Sequence, residues 1–346
     1  MKVKNINIWI LVILFLTTIS AHFVHHKNYN SYKQQVKIFR DINSSNFSNT
    51  SSEFYNNLEI NIPNLSVTSI PIKAVKGIYI QVNEPLDSIE KAKNLLHKSI
   101  KDNPFLMYSE GNLSELYFSL RNYDSAYYYA RKSFLGLPKN AIHFAMMGKL
   151  YANKGHYDSI VLTFNKINSP PRPDITKIFL ASMVNFYDKI DDSLKNSVMQ
   201  IAKSAKNRYL DKNELQTLAD YVIKGKKLVD NALDYQERGQ KLLFGKNYNE
   251  GIELFKKALE IRDGNISIIQ TIGLAYYNIR EYRKVIDYMQ QIEKVNVKLD
   301  PLSLYITGMS YHFLREPQKS CQYLLKSKKF KNKQASDAYD ALCVKQ

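Results

Sequence analysis

His22, His25 and His26 place three imidazoles within five residues, a spacing at which side chains could share a metal ion. Nothing marks the carboxylate or carbonyl partners that orient metal-ligating imidazoles, so the three read as the polar edge of the apolar run before them. His97, His143, His156 and His312 are scattered and read as surface or packing residues. No His-Glu-x-x-His, Gly-x-Ser-x-Gly or Gly-x-x-x-x-Gly-Lys occurs, and no pair of carboxylates stands out. The expectation is therefore no enzyme, no catalytic residue, no cofactor and no metal. The only cysteines, Cys321 and Cys343, exclude a disulfide scaffold and a four-cysteine zinc module. They fall near the ends of two antiparallel helices, where a bond is open to them. Ala338 and Leu342 take the inward face of the last helix and turn Cys343 partly aside, so the reading favours two thiols without settling the matter.

The elements that would position any site are those of an ordinary globular chain. Of 346 residues, 45% are hydrophobic and 23% charged, which excludes wholesale disorder. The net charge of +17 invites a nucleic-acid reading, but it is spread thinly, whereas a phosphate-binding surface concentrates it. Only ten of the 49 basic residues are Arg, the residue suited to bidentate phosphate contacts. One real cluster exists, Lys326, Lys328, Lys329, Lys331 and Lys333, which reads as a solvated helix end and loop. No nucleic-acid partner is expected.

Lys2 and Lys4 precede an apolar run from Ile8 to Leu16, continued by Ile19, Ala21, Phe23 and Val24, with no formal charge between Lys4 and Lys27. As a helix this stretch spans about 33 Å, enough for the hydrocarbon core of a bilayer. Residues 1–27 thus read as a membrane anchor or signal peptide, with the membrane contact through residues 8–24. Lys2 and Lys4 stay in the cytoplasm and the rest is exported. Thr18-Ile19-Ser20 is a poor cleavage site and no cysteine lies near it. The reading therefore favours a retained single anchor at the cell envelope over a cleaved signal peptide that leaves a secreted or periplasmic body. Residues 28–72 form a spacer and extended lead-in: a short helix over Tyr32 to Ile42, a polar stretch Ser44 to Ser52, and Ile60 to Ile72 with Pro63 and Pro71.

The rest of the chain repeats. Gly239, Gly273 and Gly308 are 34 and 35 residues apart. Each opens a similar series: Leu242, Tyr248, Gly251, Phe255 and Ala258; Tyr276, Tyr282, Val285, Met289 and Ile292; Tyr311, Ser320, Leu324 and Ser327. In the N-terminal half Gly148, Tyr151, Tyr157, Ile160 and Phe164 repeat the spacing, as do Ser114, Tyr117, Tyr123, Ala126 and Ala130. Each unit predicts two antiparallel helices that cross at a small residue, Gly148 facing Ile160 and Gly239 facing Gly251, with Gly155 and Gly245 marking tight turns. One pair cannot bury its apolar stripe alone, so neighbours must stack. The chain divides into a block 73–174, an irregular segment 175–231 with a degenerate pair plus one extra helix, a block 232–331, and a closing helix in 332–346. In that helix Ala335, Ala338, Ala341 and Leu342 face inward.

The pattern resembles the tetratricopeptide repeat family, W-x2-L-G-x2-Y…A-x3-F…A…P over 34 residues. It covers roughly residues 73–335 and is strongest over 107–167 and 232–330. No unit has the leading Trp, and the proline survives only at Pro104 and Pro138. The resemblance implies an all-α solenoid, a right-handed superhelix of helix pairs, that binds a protein or peptide in the concave groove of its first helices and does no chemistry. Groove positions in the C-terminal block are then Gln236, Gln240, Phe244, Gln270, Tyr277, Asn278, Tyr305, Met309, His312 and Phe313. Amides there could grip an extended peptide backbone and aromatics supply apolar contact. Some relatives capture a terminal carboxylate with a Lys and an Asn four apart; here Gln236 and Gln240 hold those spots, so that mode is not expected. The stretch from Ile70-Pro71-Ile72 through Leu137-Pro138 to Phe144 is also similar to repeat tails of bacterial surface-polysaccharide (O-antigen) polymerases and ligases. The multi-span domain of those enzymes is missing here, which leaves an accessory role. A third reading, an RNA-binding helical-repeat protein, lacks a regular pair of base-reading side chains per unit.

Overall fold

Small polar residues punctuate this chain. Asn122, Asn140, Asp191, Asn265, Asp300 and Asn332 each accept a backbone N–H of the helix they precede, meeting donors that the first turn leaves without partners. The structure is a computed structural model that describes residues 8–44, 53–54, 57–58, 60, 69–84, 86–167 and 172–344. Among them there are seventeen helices and no strand, and an apolar helix lies at the N-terminus. Lys2 and Lys4, most of the polar stretch after Ser44, Pro63 and the Pro170-Pro171 pair lie outside the described residues.

The helices are α1 Ile8–Ser44, α2 Ile72–Asn83, α3 Ile89–Asp102, α4 Tyr108–Ser119, α5 Tyr123–Gly136, α6 Ala141–Asn153, α7 Tyr157–Ile167, α8 Pro173–Phe186 and α9 Asp192–Arg208. They continue as α10 Asn213–Lys224, α11 Lys226–Phe244, α12 Tyr248–Ile261, α13 Ile266–Asn278, α14 Tyr282–Lys294, α15 Pro301–Phe313, α16 Pro317–Lys329 and α17 Lys333–Tyr339. Two compact units divide the chain, Met1–Ile167 and Asn168–Gln346.

One device makes the hairpins. The N–H of Asn122, His156, Asn247, Glu281 and Glu316 donates to the carbonyl of Tyr117, Tyr151, Leu242, Tyr276 and Tyr311 respectively, at 2.8–3.0 Å. These six-to-one bonds close the first helix of each pair. The residue between is left-handed in every case: Arg121, Gly155, Lys246, Arg280 and Arg315 all have φ between 58° and 71°. Gly155 is as the sequence predicts. Gly245 also lies in its turn, as the helix cap, but the left-handed residue there is Lys246.

In the first unit α2 pairs with α3, α4 with α5 and α6 with α7, and each pair packs on the next. Ala74, Ile78, Leu96, Leu113 and Leu116 fill one interlayer, and Ala126, Ala130, Met146, Met147 and Leu150 another. The small-residue crossing holds at Ser114, whose hydroxyl donates to the Ala126 carbonyl at 2.8 Å. It does not hold at Gly148, where a Cβ would meet nothing within 4 Å. The helix expected over Tyr32–Ile42 is not separate, because α1 runs unbroken to Ser44. Its C-terminal part buries Ser31, Gln35 and Ile38, and Ile38 packs with Ile72, Val75, Tyr79 and Leu95 of the first pair.

In the second unit α8, α9 and α10 occupy the irregular segment, and α11–α12, α13–α14 and α15–α16 form three regular pairs. Gly239 and Gly251 meet as the spacing predicts: a Cβ on either would come within 3.3 Å of the other's carbonyl oxygen. The cap differs from the sequence reading. Ala335 is buried, but Ala341 is exposed, and Cys321 and Cys343 are joined in a disulfide with 5.8 Å between their Cα atoms. The reason is the π-helical turn Asp340–Val344 that follows α17. Its wider turn changes the phase of the side chains and brings Cys343 round to α16. Closing a loop of 22 residues, the bond contributes about 3 kcal/mol in the chain-entropy account.

Candidate peptide-binding face

The face is built by the first helices of the regular pairs in the second unit, α11, α13 and α15. Gln236, Gln240 and Phe244 repeat at i, i+4, i+8 on α11, and Tyr305, Met309 and Phe313 do so on α15, so each trio shares one side of its helix. On α13, Gln270 and Tyr277 are two turns apart.

The polar members are largely engaged within the fold. Gln270 donates to Asp300 at 2.5 Å, and Asp300 also caps α15 through the N–H groups of Leu302 and Ser303. Gln236 donates to the Ala232 carbonyl and accepts from Arg262 at 3.4 Å. The Asn278 amide donates back to the Leu274 carbonyl at 2.9 Å. Gln240 is exposed, and Phe244 is 80% exposed.

The aromatic members converge. Tyr277 shares a hydrogen bond with Tyr305, and burial, then the Tyr305 and Tyr282 phenols, push its hydroxyl up to about 12. Tyr282 lies edge-on to Tyr277 at 6.1 Å and stacks on Phe313 at 4.5 Å, with His312 5.5 Å from Phe313. Phe313 keeps 48% of its surface exposed. Tyr282 belongs to α14 and was read from the sequence as a repeat position, not as a groove residue. Its place one residue after each hairpin turn, shared with Tyr123, Tyr157 and Tyr248, was the available signal. The result is an aromatic cluster of three half-buried tyrosines under the exposed Phe313 ring, with an imidazole beside it, able to contact an apolar side chain at Phe313.

The other histidines lie in the first unit's packing or on its surface. His97 sits between Tyr117 and Tyr129, 3.1 Å and 3.3 Å from their hydroxyls, and burial, then Lys93, hold it below the usual imidazole range. His143 is buried on α6 beside Gly111, and burial lowers it too. On α1, His26 is 3.2 Å from the Asn30 amide. Among the described residues no group of three or more His, Cys, Asp or Glu is arranged to hold a metal ion.

No family model matches the sequence, and no curated protein matches it at a significant level. Solved structures similar to the chain include a tetratricopeptide repeat protein from Parabacteroides merdae, 11% identical, covering 77% of this chain and 98% of that one with a TM-score of 0.32. Others are a human IFIT1 dimer with PPP-AAAA (12% identical, 85% and 67% covered, TM-score 0.30) and the TPR2AB-domain:pHSP90 complex of yeast Sti1 (13% identical, 68% and 96% covered, TM-score 0.28). Scores of this size describe no common overall arrangement, and what those proteins bind stays with them.

Proposed function

We propose that this chain is a tetratricopeptide-type repeat scaffold, held in a membrane by α1 with its repeats on the exported side, that binds an extended segment of another protein across α13 and α15. The observation that carries the binding role is the aromatic cluster of Tyr277, Tyr282, Tyr305 and Phe313, in which three half-buried tyrosines support a Phe313 ring that keeps 48% of its surface exposed. Aromatic anchors of this kind supply most of the energy of many protein interfaces. The engagement of Gln236 and Gln270 inside the fold favours recognition led by aromatic contact over a row of amides. Export is supported by the apolar α1, long enough to cross a bilayer, and by the Cys321–Cys343 bond, which suits an oxidising compartment.

The test places a photocrosslinking residue at Phe313 in the full chain in native membranes, with Gln290 on α14 as the control position. Phe313 should yield crosslinks to one partner that Gln290 does not. Tyr277→Ala in that background should weaken capture at least about tenfold, as expected for an aromatic anchor. Identical products from both positions, or salt-sensitive retention of RNA in place of protein, would overturn the proposal.

A further inference from the structure

Away from the aromatic face, a cleft of about 410 Å³ opens between the α14–α15 connection and the last turn of α16, within the ~300–1,000 Å³ range of ligand clefts. Val297, Leu299, Leu304 and Phe330 line it; Leu299 and Leu304 are buried at its base, and Phe330 is 59% exposed at its mouth. Lys298 and Lys326 stand on the rim. The one acidic residue lining the cleft, Glu293, already accepts the Tyr323 hydroxyl at 2.7 Å, and the Lys326 ammonium lies 4.9 Å over the Tyr323 ring.

Lys326 begins the only concentrated charge in the sequence. Five lysines and no carboxylate lie between positions 326 and 333. Asp340 takes Lys328 at 2.6 Å, while Lys326, Lys329, Lys331 and Lys333 are exposed. The cations are spread along the chain from the end of α16 through the turn after it, in place of a cluster at one point. A phosphate headgroup calls for convergence; an extended chain with several separate carboxylates suits cations spread in this way.

We propose that this cleft docks an acidic peptide segment, with one large apolar side chain between Leu299, Leu304 and Phe330 and the flanking carboxylates against Lys298, Lys326 and Lys329. The site differs in residues and chemistry from the aromatic face and does not depend on it.

The test uses the full chain in detergent and fluorescently labelled octapeptides of Asp and Glu that carry a single central Phe or a single central Ser. The Phe peptide should bind saturably and weaken steeply with added salt, and the Ser peptide should bind at least about tenfold more weakly. The exposed-site double variant Lys326→Glu with Lys329→Glu should reduce binding of both peptides. Phe330→Ser should remove the preference for Phe and leave the salt dependence, and Phe313→Ala should change neither. Equal affinity for the two peptides would overturn the proposal. So would binding unaffected by the charge reversal, or binding of inorganic phosphate but of neither peptide.

Discussion

Arg121, Lys246, Arg280 and Arg315 carry side chains at a backbone position, φ between 58° and 64°, that costs an L-residue about 1–2 kcal/mol. The hairpin imposes the conformation: once the first helix closes by its six-to-one bond, whichever residue falls at that point must turn left-handed. Lys246→Gly should therefore raise stability by about 0.5–1 kcal/mol, the relieved strain less the extra freedom that glycine gives the unfolded chain. Gly155→Ala, at the equivalent point with φ 71°, should lower stability by about 1 kcal/mol. Urea unfolding of the two variants checks both signs, and a neutral pair would deny the strain. The repeat spacing made the turns legible in the sequence, but not the residue that bears them. Gly245 attracted the reading because glycine favours such backbones, yet its φ is −75° and Lys246 does the turning. The pairing of Cys343 stayed open in the sequence for a related reason. A helical wheel assumes 3.6 residues per turn, and the π turn at Asp340–Val344 breaks that phase.

Among elements, the irregular segment adds a buried ion network to apolar stripes like those of the regular pairs, such as Ile175, Phe179, Val198 and Leu215. Arg262, just past α12, is 1% exposed and reaches Asp220 on α10 at 3.2 Å and Thr217 at 2.6 Å. Asp220, also buried, pairs with Lys206 of α9 at 2.7 Å, and Lys206 and Lys224 both reach Asp263. Arg262→Met should cost about 1.5–3 kcal/mol in urea unfolding, the loss of charge-assisted hydrogen bonds to Asp220 and Thr217, because Asp220 keeps Lys206 as its remaining charged partner. The pH dependence has a definite sign at each end. Burial pulls the Lys206 ammonium down, but Asp220 and Asp263 hold it above its ordinary 10.5. Burial raises Asp263, but Lys206 and Lys224 hold it below its ordinary 3.8. A depressed carboxylate stabilises above its unfolded pKa and loses that contribution as pH falls; a raised ammonium stabilises below its unfolded pKa and loses it as pH rises. Asp263→Asn should thus be less stable than the parent, by under about 1 kcal/mol given its exposure, between roughly pH 4 and 10.5. The gap should close on either side of that window. Chemical denaturation across pH measures it, and a gap that widens below pH 4 would contradict the assignment. The three helices of the segment were readable from apolar spacing, as at Ile175, Phe179 and Met183. The ion network was not, because Arg262 and Asp220 are 42 residues apart and neither carries a local signal.

For the molecule as a whole, the decisive question is whether α1 stays attached. Cleavage by a signal peptidase needs its site to be extended and reachable. Here the weak site Thr18-Ile19-Ser20 lies inside one continuous helix, with the Thr17 and Thr18 hydroxyls both donating to the Leu14 carbonyl at 2.8 and 2.7 Å. Along residues 9 to 24 the apolar side chains are exposed, Trp9 at 70%, Phe15 at 65% and Phe23 at 59%, as lipid-facing side chains would be. Beyond them the same helix buries Ser31, Gln35 and Ile38 against the first repeat pair. The anchor would thus continue into the body as a stalk. The full chain recovered from membranes should keep its N-terminal residues by intact mass and resist extraction at alkaline pH. Ile38→Ala should cost about 2–5 kcal/mol of local stability and open trypsin cleavage at Lys33 and Lys37, which lie between the apolar stretch and the repeats, so the repeats should leave the membrane faster than those of the parent under the same digestion. A mature chain beginning near Ala21 and found free of the membrane would refute the anchor, and with it the stalk.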